Sequence, residues 1–94
     1  NVSVNLSRHE VLVDDQQVMM PLKEFDLLVL LMENPNLVLT RDTIIDRIWG
    51  FDYVGDTKTL DVHIKRLRNK IEVNHKDPKK IITVRGVGYK YSNT

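Results

Sequence analysis

Cysteine is absent from the 94-residue chain, which removes disulfides, thiol nucleophiles and thiolate metal sites and fits a reducing compartment. No apolar run approaches the length of a membrane helix or a signal-peptide core, so a cytoplasmic protein without a membrane partner is expected. No Gly-x-Ser-x-Gly and no His-carboxylate motif is present, so the converging groups that catalysis needs are missing and no enzyme is expected. The three histidines, His9, His63 and His75, lack metal-ligand spacing, so neither a metal nor any other cofactor is expected. Excess charge is lacking too. The formal net charge is only +1, and affinity for a polyanion must come from where the cations lie rather than how many there are.

What is present suits one soluble domain over residues 1–94, with 41% hydrophobic and 29% charged residues and enough chain for one modest core. The chain begins at Asn1, without Met and in strand-like sequence, so it is expected to be cut from something longer. From Val2 to Met20, apolar alternations of period two broken by polar clusters predict short antiparallel strands. "PLKEFDLLVLLMENP" then puts Phe25, Leu28, Val29 and Met32 on one helical face. Pro21 falls in its first turn and Pro35 ends it. After an apolar bridge, Leu37–Leu39, Thr40 is the expected N-cap of a second helix with Ile44, Ile45, Ile48 and Trp49 inward and Gly50 at its end. "GFDYVGD" is a loop, "TKTLDVHIKRLRNKI" a third helix, "VNHKDPKK" a turn, and "KIITVRGVGYKYS" a hairpin about Gly86 and Gly88. The fold class is α+β: an N-terminal antiparallel sheet, three helices and a C-terminal β-hairpin.

The third helix concentrates Lys58, Lys65, Arg66, Arg68 and Lys70 against one acid, Asp61. At about 100° per residue, Leu60, Ile64, Leu67 and Ile71 form one narrow stripe toward the core. Lys58, Val62, Lys65, Arg66 and Asn69 then point outward. Thr59 and Lys70 flank that surface, and Arg68 lies nearer the core boundary. Solvated helix faces usually alternate the sign of charge, and this outer face carries no acid. Basic groups interleaved with Val, Thr and Asn supply phosphate neutralisation, amide readout and a methyl contact for thymine. A third helix in a three-helix unit favours recognition over a plain solvated face.

"WGFDYVGD", "TLDVHIKRLRNKI", "TVRGVGYKY" and the upstream "KEFDLLVLL", in this order and separation, resemble the winged helix-turn-helix effector domain of bacterial OmpR/PhoB-type response regulators over nearly the whole chain. The resemblance implies a transcription factor of a two-component phosphorelay that binds double-stranded DNA, with the third helix in the major groove and the hairpin wing at the minor groove. Lys58, Thr59, Val62, His63, Lys65, Arg66, Arg68, Asn69 and Arg85 are the candidate DNA contacts. Val62 and Arg66 are expected at base edges, Lys58, Lys65 and Arg68 at phosphates, and Arg85 in the minor groove. The loop residues Phe51, Asp52, Tyr53 and Val54 are expected to face RNA polymerase. A receiver domain, phosphorylated by a cognate sensor kinase, and pairing of two copies on direct repeats are further implications. The alternative is a winged-helix module whose basic helix docks on an acidic protein.

The sequence departs from the family pattern in three places. Pro21 and Leu22 replace a Thr-Pro pair, removing a hydroxyl cap from the first helix. The turn "DDQQ" has no glycine, so a looser or longer geometry is expected. Lys58 replaces a common arginine and cannot make a planar two-pronged contact to guanine. Packing or a phosphate contact is the expected role of His63, and packing that of Trp49 at its helix end and of Tyr89 and Tyr91 under the wing.

Overall fold

The computed structural model describes residues 1–93. The chain opens with a meander of β1 (Val2–Asn5), β2 (Glu10–Val13) and β3 (Gln16–Val18), antiparallel in the order β1-β2-β3. Its register sets Val4 against Val11 and Val11 against Val18, so a row of β-branched side chains crosses one face and carries buried Val11 into the core. The glycine-free turn between β2 and β3 is tight, not loose. Asp14 and Asp15 both take positive φ, 50° and 66°, and aspartate is among the few L-residues that tolerate that region in a two-residue hairpin turn.

Helix α1 (Leu22–Met32) follows, then β4 (Leu39–Thr40), α2 (Arg41–Trp49), α3 (Lys58–Ile71), β5 (Ile81–Val84) and β6 (Gly88–Tyr91). Pro21 is the cap residue just before α1, with no side-chain cap. The buried face of α1 is rotated from the expected one: Phe25 and Leu28 are buried with Leu27 and Leu31, while Val29 and Met32 are half-buried. This helix packs on α2, α3 and β6, so its apolar surface is wider than one stripe. It also buries Glu24, whose carboxylate accepts a hydrogen bond from the Lys70 ammonium. A buried carboxylate needs such a partner.

The apolar bridge Leu37–Leu39 contributes the short strand β4, which pairs with β6 in a second sheet, β4-β6-β5. Thr40 leaves this strand and caps α2, its hydroxyl accepting the Thr43 amide at 3.1 Å. Gly50 ends α2 at φ 103°. Within α2 only Ile44 is fully buried, and Ile45, Ile48 and Trp49 pack against the core from its edge. Gly88 is required by packing more than by the turn. A Cβ there would lie 1.9 Å from the Leu39 carbonyl oxygen. Gly86 is the turn residue, at φ 77°.

Candidate nucleic-acid interface

Leu60, Ile64, Leu67 and Ile71 are all at most 1% exposed, so the inward stripe of α3 is as the spacing predicts. Each such side chain stabilises the fold by about 1.5–3 kcal/mol relative to exposure. Burial of this stripe orients the rest of the helix. Lys58, Val62, Lys65, Arg66 and Asn69 are exposed on the opposite side. None of these five is held by an ion pair among the described residues, and their cations face solvent together. The helix start is set by Asp56, whose carboxylate accepts the Lys58 amide at 2.8 Å.

The two flanks of α3 are engaged by the protein itself. On the α2 side, Thr59 and His63 are half-buried. The His63 Nδ1–H donates to the Thr59 carbonyl at 2.8 Å, which leaves the imidazole edge-on to Trp49 at 5.0 Å. Tyr53 leaves the loop to sit 6.0 Å from Trp49, ring to ring, with its hydroxyl 3.2 Å from the Thr59 hydroxyl. His63 and Tyr53 therefore join the loop to α3 by packing. Phe51 and Val54 do not. They are 92% and 97% exposed, and Asp52 beside them is exposed as well.

On the other flank, Arg68 is held against the hairpin. Its guanidinium donates through Nε and Nη2 to the Ile81 carbonyl at 3.2 and 2.8 Å, and through Nη2 to the Thr83 hydroxyl at 2.8 Å. It also lies 5.7 Å over the Tyr89 ring. Burial holds this guanidinium below its ordinary pKa. Such an arginine fastens the hairpin to α3, because the fork fits a fixed carbonyl and stacks on an aromatic face. Arg85 is different: it is exposed where β5 turns toward β6, with no side-chain ion pair among the described residues.

Spacing alone did not reveal the polar network at the N-terminal end of α3. Arg41 grips the Asp61 carboxylate with both terminal nitrogens, Nη1–Oδ1 2.5 Å and Nη2–Oδ2 3.2 Å, and Nη2 also reaches the Thr57 carbonyl at 3.0 Å. Tyr89 donates its hydroxyl to Asp61 Oδ1 at 2.6 Å. Hydrogen bonds from Arg41 and Tyr89 hold the Asp61 carboxyl below its ordinary pKa, while burial, then the bond to Asp61, push the Tyr89 phenol up. The signal in sequence was the isolation of Asp61 among cations. At the far end of α3, Glu72 accepts the backbone amides of Lys79, Lys80 and Ile81, which anchors the start of the hairpin. No group of side chains able to hold a metal occurs among the described residues.

Three helices, the second and third joined by a loop and followed by a hairpin bolted to the third, define a winged helix-turn-helix. The chain belongs to the family described as "Transcriptional regulatory protein, C terminal", which matches residues 15–91, the effector domains of OmpR/PhoB-type response regulators. Among curated proteins it is 58% identical over 89 residues to the sensory transduction protein RegX3 of Mycobacterium tuberculosis, covering 95% of this chain and 39% of that protein. It is 51% identical over 90 residues to the heme response regulator HssR of Staphylococcus haemolyticus, covering 96% of this chain and 40% of that one. The chain thus spans about two fifths of these relatives. Among solved structures, the response regulator DrrB of Thermotoga maritima, an OmpR/PhoB homolog, superposes with a TM-score of 0.90 at 30% identity, over 97% of this chain and 41% of that one. The RstA DNA-binding domain of Klebsiella pneumoniae, solved in complex with the RstA box, superposes with a TM-score of 0.87 at 28% identity, over 97% and 90%.

Proposed function

We propose that this domain binds double-stranded DNA sequence-specifically as the output domain of a two-component response regulator controlling transcription. The observation that carries the reading is the outward face of α3, where Lys58, Lys65 and Arg66 surround Val62 and Asn69 with no acid on that face and no ion pair among the described residues. Val62 and Arg66, near the middle of the helix, read base edges in the major groove, while Lys58 and Lys65 hold phosphates. Arg85, free at the hairpin tip, enters the adjacent minor groove, whose narrow A·T-rich stretches attract guanidinium groups. Thr59 and His63 support the helix from the α2 side, and Arg68 supports the hairpin.

The exposed Phe51 and Val54 with Asp52 between them suit a protein partner rather than a phosphate backbone, which supports reading this loop as a contact for RNA polymerase. In the full-length protein, a receiver domain phosphorylated by a cognate sensor kinase controls pairing of two copies on direct repeats in the cytoplasm. The test is a fluorescence-anisotropy titration of a duplex selected from a random library, repeated over a range of salt. The logarithm of affinity should fall linearly with the logarithm of salt, with a slope set by the phosphates neutralised. A weak, salt-insensitive interaction with every duplex, or selection that enriches nothing, would contradict the proposal.

A further inference from the structure

The lone acid of α3 is out of place on a helix that approaches phosphates. Asp61 lies one residue from Val62 and one turn from Lys58 and Lys65, and its side chain is 46% exposed. A negative charge there repels the DNA backbone, so its presence calls for a compensating role. What it holds supplies one. The Arg41 that grips Asp61 is the first residue of α2, its backbone N–H donates to the Val87 carbonyl of the hairpin at 3.3 Å, and its guanidinium reaches the carbonyl just ahead of α3. The Tyr89 that donates to Asp61 belongs to β6. Helix α2, helix α3 and the hairpin therefore meet at one carboxylate. Two turns along the same flank, Arg68 makes the second fastening, over the ring of the same Tyr89 and onto β5.

We infer that Asp61 is a positioning residue for DNA recognition: it touches no DNA, but sets the distance and angle between the outward face of α3 and the hairpin tip. The inference rests on the reading of that face and of Arg85 as the DNA contacts. Two groove contacts on separate elements add their energies only if their spacing matches the duplex, and a loose joint between them loses one contact whenever the other forms. Apolar packing is non-directional and by itself fixes no angle between the hairpin and α3. A carboxylate held by a two-pronged guanidinium and a phenol restricts that angle, because each bond is directional and charge-assisted.

Positioning and plain electrostatics predict opposite signs, which makes the idea testable. Asp61→Asn keeps the size of the side chain and removes a negative charge beside the phosphates. Charge alone then predicts tighter binding to every duplex. Positioning predicts weaker binding to the selected duplex, by about tenfold, with equal or tighter binding to a scrambled duplex of the same composition. Tyr89→Phe, which removes only the hydroxyl, should lower the selected-to-scrambled ratio in the same direction by a smaller factor. It also serves where the loss of the Arg41 partner compromises folding. In an Arg85→Ala background, Asp61→Asn should add little, since the contact it aligns is already gone. Tightening of both duplexes together in D61N would overturn the inference. So would a loss on the selected duplex that stays the same size without Arg85, or a re-selection in which D61N changes the preferred base at one position, which would make Asp61 a direct base contact. If Arg85→Ala alone costs nothing, the assignment of Arg85 fails and takes the inference with it, an outcome distinct from a D61N loss that persists beside a working Arg85.

Discussion

Replacing Gly88 by alanine tests how the hairpin is joined to the helices. The added Cβ would stand 1.9 Å from the Leu39 carbonyl oxygen and 3.0 Å from the Thr40 Cα. Both are backbone atoms, so no side-chain rotation relieves the clash, and β4 must move off β6. That separation puts at risk the pairings Leu39↔Tyr89 and Thr40↔Gly88 together with the bond from the Arg41 amide to Val87. Overpacking of this kind costs about 1–3 kcal/mol, and each hydrogen bond lost adds roughly 1 kcal/mol. A total near 3 kcal/mol corresponds to a fall in Tm of roughly 12–24 °C for a domain of this size. Because β4 runs directly into the Thr40 cap, the start of α2 shifts with it. The assay is thermal unfolding followed by circular dichroism. A Tm within about 2 °C of wild type would refute the view that close approach of β4 makes glycine necessary.

Arg66→Ala should cost about 1–3 kcal/mol of DNA affinity and relax preference at one base pair, whereas Lys65→Ala should weaken all duplexes similarly and lower the salt slope by roughly one; competition with variant duplexes separates the two. Changing Asp52 or Val54 should reduce transcription activation in a reconstituted assay with little change in DNA affinity, and a parallel fall in both would make the loop a support for α3. Asp61 has a folded pKa below its unfolded one, so its stabilising contribution is present above about pH 4 and is lost as pH falls through the folded value. Stability measured by urea unfolding should therefore fall less steeply below about pH 4 in Asp61→Asn than in wild type. Arg85→Ala should lower affinity more on A·T-rich than on G·C-rich flanks around one shared site; an equal loss on both would leave it a phosphate contact.

Periodicity made the apolar stripe and outward face of α3 legible because a long amphipathic helix repeats its signal over several turns. The Thr40 cap and the Gly50 stop were legible because each rests on a local backbone requirement. Strand β4 was not, since two residues carry no period and pair only with a partner fifty residues away. The buried face of α1 was misjudged for a related reason: a helix touching α2, α3 and β6 buries more than one stripe, and Glu24 enters the core only because Lys70 arrives from α3 to meet it. Spacing puts Arg68 near the core boundary, but its bonds to Ile81 and Thr83 are a tertiary fact that no local pattern carries. The Arg41–Asp61–Tyr89 network joins three elements distant in sequence, and its one local sign, a lone acid among cations, does not name its partners.

Amide chemical-shift mapping on addition of a selected duplex tests most directly whether the outward face of α3 and the hairpin tip bind DNA as one surface. The amides of Lys58–Asn69 and Arg85 should shift together, while those of β1–β3 stay in place. Shifts confined to Phe51–Val54 or to the N-terminal sheet, with α3 unmoved, would contradict the account.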